Sequence, residues 1–115
     1  MKKKTICFDI DGVICKTNKS DYKNSSPLKK NIKIINELYD KKYNVILFTA
    51  RYMGRFKNNS KKATELGKKH TLKQLKEWGV NYNKIFFAKP SFDIVVDDKS
   101  IFFKKNWTTF FKKFN

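Results

Sequence analysis

Thr5-Ile6-Cys7-Phe8-Asp9-Ile10-Asp11-Gly12 decides the fold. Residues 5–10 are nearly continuously apolar after a lysine cluster, the composition of a short strand buried on both faces of a sheet, and the aspartates and glycine end it. The pattern returns three times. Residues 43–48 (Tyr-Asn-Val-Ile-Leu-Phe) run into Thr49-Ala50-Arg51, residues 84–88 (Lys-Ile-Phe-Phe-Ala) into Lys89-Pro90, and residues 93–96 (Asp-Ile-Val-Val) into Asp97-Asp98.

Helical periodicity fills the intervals. From position 28 to about 42, Ile32, Ile35, Leu38 and Tyr39 form one apolar stripe opposite a lysine-rich face, and Pro27 suits a first helical turn. Over residues 64–78, Leu66, Leu72, Leu75 and Trp78 make a second stripe, with Gly79 positioned to stop the helix. Residues 16–26 and 52–63 are polar or basic and read as loops. The order β-α-β-α-β-β predicts an α/β domain, a three-layer Rossmann-like sandwich around a mostly parallel sheet, with residues 1–115 forming a single unit. In such sheets ligands collect beyond the carboxyl ends of the strands. The expected ends carry Asp9 and Asp11, Thr49 and Arg51, Lys89, and Asp97 and Asp98. Carboxylates, a lysine and a hydroxyl converging there would repel or neutralise one another to no end unless a hard cation and an anionic substrate share the site, which points to metal-assisted phosphoryl transfer.

The same residues resemble the haloacid dehalogenase superfamily of aspartate-nucleophile phosphatases. D-x-D-G after a hydrophobic strand is matched by Asp9-Ile10-Asp11-Gly12, the strand-ending hydroxyl by Thr49, the lysine by Lys89-Pro90, and the acidic motif by Val95-Val96-Asp97-Asp98, all in order between residues 4 and about 100. Asp21-Tyr22 with Pro27, T-A-R at 49–51 and V-D-D-K at 96–99 look more narrowly like the small capsule-biosynthesis phosphatases of bacteria. Two departures stand out: Val13 replaces a common Thr, and no later spaced aspartate follows Asp98.

The resemblance implies a Mg²⁺-dependent phosphoric monoester hydrolase acting on a small phosphorylated metabolite, a sugar phosphate or a capsular polysaccharide precursor, through an aspartyl-phosphate. Asp9 would be the nucleophile, Asp11 the general acid and base, and Thr49 and Lys89 would hold the phosphoryl group, with Arg51 a substrate or phosphate contact. Mg²⁺ would be held by Asp9, the backbone carbonyl of Asp11 and the acidic pair, with Asp98 the direct ligand and Asp97 standing behind it or holding Lys89. Only 37 residues separate Asp11 from Thr49, and 39 separate Thr49 from Lys89, and each interval already holds a helix and a loop, so no cap domain is expected.

Charge and composition temper the partner reading. The net charge of +17 suits a polyanionic partner, which keeps a phosphatase for polynucleotide 3′-ends as an alternative, but 25 of the 27 basic residues are Lys, not the Arg that fork-shaped recognition favours. A third alternative is a binding module that keeps the fold and not the catalysis. No apolar run approaches the roughly 20 residues that span a bilayer, and no leader is expected. Cys7 and Cys15 match no staple framework and are read as inert thiols in a reducing cytoplasm. His70 has no ligand-spaced neighbour and is read as a helix or surface residue. The tail stripe Trp107, Phe110, Phe111 and Phe114 is expected to cover the sheet or a subunit interface, which leaves a homo-oligomer open; lying on anionic lipid is its alternative.

Overall fold

A computed structural model describes residues 3–53, 60–101, 103 and 106–115; the side chains at 60–64 and 66 fall outside the description. Its central sheet is parallel, in the order β1 (Thr5–Phe8), β4 (Asn44–Phe48), β5 (Lys84–Phe86). A two-residue antiparallel pair, β2 (Cys15–Lys16) and β3 (Ser26–Pro27), closes the polar loop after β1. Pro27 therefore sits in a strand, and helix α1 begins two residues later and spans Lys29–Asp40. Helix α2 spans Ser60–Glu77, starting four residues before the apolar periodicity does. Gly79 follows it at φ +69, the left-handed cap that glycine adopts without steric cost.

The register sorts the side chains by face. Ile6, Phe8, Val45, Leu47 and Ile85 share one face, and Cys7, Ile46, Phe48 and Phe86 the other. The first face is the core: Phe8, Val45 and Leu47 join Ile32, Ile35 and Leu38 of α1, Leu75 of α2, and Trp107 and Phe111 of the 3-10 helix Trp107–Lys113. Phe8 meets Trp107 and Phe111 with ring centroids 5.8 Å apart in each case, so these two members of the tail stripe cover the sheet as expected, with Phe114 packed beside them, while Phe110 stays exposed. Burying these aromatic and aliphatic groups contributes about 1.5–3 kcal/mol each before chain entropy is counted.

Both helices reach the core from the same side, and topology explains it. Strands added in one direction by right-handed crossovers put successive helices on one face. A second layer requires the strand order to reverse across β1, and residues 93–96, expected to supply that strand, form none. Ile94 and Val96 are 84% and 96% exposed. The expectation that β1 is buried on both faces fails for the same reason: Thr5 and Cys7 are exposed. The structure is thus an α/β fold with a parallel three-stranded sheet.

Candidate active site

Asp9 follows β1 directly. Its Oδ1 accepts from the Ile10 amide at 2.8 Å, and its Oδ2 lies 3.7 Å from Lys89 Nζ. The backbone brings these two together. Thr49 at the end of β4 donates its amide to the Phe86 carbonyl and accepts the Lys89 amide at 3.0 Å, and Ala88 turns through φ +71 between them. The β4 to β5 ladder thus continues past the strands and swings Lys89 toward β1. The Lys89 ammonium also lies over the Phe48 and Phe92 rings, at 5.8 and 5.4 Å from their centroids. The Asp9 side chain keeps 40% of its surface exposed, so the pair is accessible. Burial pushes the Asp9 carboxyl above its ordinary value; Lys89 and the Ile10 amide pull it down, and the Asp11 charge adds to the upward push.

Asp11 has a different environment. Arg51 Nε donates to both carboxylate oxygens, at 3.2 Å to Oδ1 and 3.1 Å to Oδ2, and Nη2 donates to Oδ1 at 3.0 Å. Thr17 donates its hydroxyl to Oδ1 at 2.6 Å, and the Cys15 thiol approaches the same oxygen at 3.5 Å. The remaining guanidinium nitrogen, Nη1, donates to Gln74 Oε1 at 2.5 Å and reaches the Thr71 hydroxyl at 3.4 Å. Nη2 also reaches Ser25, and the Tyr22 ring lies 5.1 Å from the guanidinium carbon. Gln74 in turn donates to the Tyr22 carbonyl at 2.7 Å, tying α2 to the polar loop.

Arg51 is therefore not the substrate contact that the sequence suggests. Its side chain is 1% exposed and each guanidinium nitrogen already has a protein partner. Thr49 differs as well. It is 1% exposed, and its hydroxyl accepts from the Arg51 amide at 3.1 Å, so it braces the turn after β4 instead of opening onto solvent. Burial raises the Cys15 thiol above its ordinary value, in keeping with an inert group. Cys7 is raised by the same cause although it is surface-exposed, where the sequence suggests a buried strand position.

The acidic pair does not join this cluster. Asp97 is exposed and accepts the Lys99 amide in a local turn at 2.8 Å, and Asp98 is exposed beside it. With no strand at 93–96 to carry them to the end of β1, they stay on the surface. The expected set of Asp9, Asp11, Asp97 and Asp98 is not assembled, and among the described residues no three His, Cys, Asp or Glu side chains are grouped as metal ligands. The residues as arranged do not fit the Mg²⁺ site that the resemblance implies.

The partners of Arg51 are what the sequence reading missed. Thr71 and Gln74 lie on the same helical face as Leu75 and Trp78, and both are buried, so a polar pair on an apolar stripe was the available signal. Arg55 and Lys57, and the side chains of Lys61 and Lys62, lie outside the described residues, and with them most of the basic loop. His70 lies in α2 with its Nε2 buried. A groove of about 480 Å³ runs along α1 beside Lys29, Lys33, Asn36 and Trp78 and does not include Asp9 or Lys89.

No family model matches the chain, and no curated protein sequence matches it. The fold is similar to the crystal structure of an MCSG target from Vibrio cholerae, with a TM-score of 0.78 and 26% identity over 88% of this chain and 83% of that one. Among the described residues no helix is long and apolar enough to cross a membrane.

Proposed function

We propose that this chain is a phosphoric monoester hydrolase that uses Asp9 as its nucleophile. One observation carries the reading: two separate strand ends bring a partly exposed carboxylate and an ammonium to 3.7 Å, with a second carboxylate two residues along on an anchored turn. Lys89 supplies positive charge where a phosphoryl dianion would approach Asp9, which lowers the repulsion between two anions. An Asp9 carboxylate oxygen attacks phosphorus in line as the ester P–O bond breaks, and the departing oxygen takes a proton from Asp11. Water then attacks the aspartyl-phosphate, Asp11 takes back the proton, and inorganic phosphate leaves with the Asp9 carboxylate restored.

Mg²⁺ dependence rests on the family resemblance alone and carries no step here. The same holds for the narrower reading, a capsule-precursor or sugar-phosphate phosphatase working in the cytoplasm. The three-layer form of the fold belongs to the same proposal: the exposed apolar side chains Phe86, Phe92, Val95 and Phe103 are the kind of surface a second layer would cover.

The test is hydrolysis of p-nitrophenyl phosphate with and without Mg²⁺, by the wild-type chain and by Asp9→Asn. Hydrolysis that disappears in Asp9→Asn, with borohydride trapping of the phosphoenzyme in the wild type only, is the expected result. Activity retained in Asp9→Asn removes the nucleophile, and a wild type that hydrolyses nothing leaves the binding-module reading. The +17 charge favours a second substrate class, polynucleotide ends. Activity on a DNA 3′-phosphate that falls steeply between low and physiological salt, with the small ester unaffected, would select it.

A further inference from the structure

The Arg51 cluster has more structure than a salt bridge needs, and its asymmetry is informative. Among the described residues, Asp11 Oδ1 accepts from Thr17, from Arg51 Nε and Nη2, and from the Cys15 thiol, whereas Oδ2 accepts from Arg51 Nε alone. A carboxylate oxygen has room for about two strong in-plane hydrogen bonds, so Oδ1 is saturated and Oδ2 keeps a free lone-pair direction. The Asp11 side chain is 26% exposed although its partner is buried, so the carboxylate stands at the boundary between the cluster and solvent.

We propose that Arg51 and Thr17 are positioning residues for Asp11: they anchor Oδ1 and leave Oδ2 as the oxygen that gives the proton to the leaving group and takes one from water. This rests on the hydrolase reading above and deepens it. Arg51 suits the task because its planar fork engages the carboxylate from one side while Gln74 and Ser25 hold the fork itself, fixing the plane of Asp11 and not merely its charge. A lysine there would keep the charge and lose the plane. Thr17, Ser25 and Tyr22 all lie in the polar segment between β1 and α1, so this segment acts on the proton-transfer group and not only at the entrance.

Leaving-group dependence reads the role directly. A nitrophenolate departs without a proton and a glycerol alkoxide does not, so loss of a well-aimed acid falls on the second ester. Wild type, Asp9→Asn, Arg51→Lys and Thr17→Val are assayed on p-nitrophenyl phosphate and on β-glycerol phosphate, with far-UV circular dichroism confirming the fold of each. Arg51→Lys is expected to lower kcat on glycerol phosphate by about tenfold or more beyond its effect on the aryl ester, with KM nearly unchanged, and Thr17→Val to shift the same ratio in the same direction by less. Equal losses on both esters, or a rise in KM with kcat preserved, overturn the proposal, the second outcome making Arg51 a substrate contact after all. If Arg51→Lys fails to fold, Thr17→Val decides alone, and an unchanged ratio in it overturns the proposal. Asp9-dependent activity with an unshifted ratio refutes the positioning role only, whereas a wild type inactive on both esters refutes the hydrolase reading and this inference with it.

Discussion

Replacing Arg51 by Met is the most demanding test of how the strand ends are held. The guanidinium is nearly solvent-free and its partner carboxylate is about a quarter exposed. Breaking a fully buried ion pair from one side costs about 3–5 kcal/mol, because the remaining charge is stranded. Here Asp11 can recover part of its hydration through its exposed edge, which lowers the expected cost to about 2–4 kcal/mol. Met fills much of the volume and keeps contact with Tyr22, so the loss reports the polar network more than a cavity. Asp11→Asn leaves the guanidinium its bonds to Gln74 and Ser25 and is expected to cost about 1–3 kcal/mol. The double variant should then cost less than the sum, with a coupling of about 1–3 kcal/mol. Urea unfolding of the four proteins, followed by circular dichroism at constant m-value, measures the cycle. A domain of this size is stable by about 5–15 kcal/mol, so the single Arg51 variant should remain measurable. A coupling under about 0.5 kcal/mol would mean that the two side chains do not constrain each other, and the cluster would lose its role in the fold.

Two further outcomes follow from particular contacts. A Cβ added at Gly67 would meet Tyr52 Cδ2 at 2.7 Å, and Tyr52 is buried, held at φ +70 and packed edge-on against Tyr22 with ring centroids 4.7 Å apart. Gly67→Ala should therefore destabilise by about 1–3 kcal/mol despite the better helix propensity of Ala, and a rise in thermal midpoint would contradict the close packing. Because burial raises the Asp9 carboxyl in the folded chain above its unfolded value, the native state binds more protons than the unfolded one between those two values. Asp9 then lowers stability as pH rises from the unfolded carboxylate range through the raised native value, and the deficit persists above it. Asp9→Asn should flatten that part of the stability profile and melt higher than wild type at neutral pH; an unchanged or lower midpoint there would count against the carboxylate being strained by burial.

The elements were legible because their signals are local. Ile32, Ile35 and Leu38 face the core at helical spacing, and Gly79 caps α2 at positive φ, as their types require. Val45 and Leu47 are buried in the central strand as an apolar run predicts, but periodicity alone could not tell that Cys7, in the edge strand β1, would face outward. The segment at 93–96 shows where such a signal stops: Ile-Val-Val is strand-like in composition, yet a strand exists only when a neighbouring edge pairs with it. Composition cannot supply that neighbour.

Residue order alone determined the α/β class and put Asp9, Asp11, Thr49, Arg51 and Lys89 at or just beyond strand ends, since apolar runs and their polar stops are written within a few residues. Tertiary structure decided which of those side chains meet. It paired Lys89 with Asp9, turned Arg51 inward onto Asp11 and Gln74, buried the Thr49 hydroxyl and left Asp97 and Asp98 on the surface. Burial and charge pairing depend on groups far apart in the chain, Arg51 and Gln74 being separated by 23 positions and Arg51 and Asp11 by 40, and only the folded backbone brings such partners within hydrogen-bonding distance.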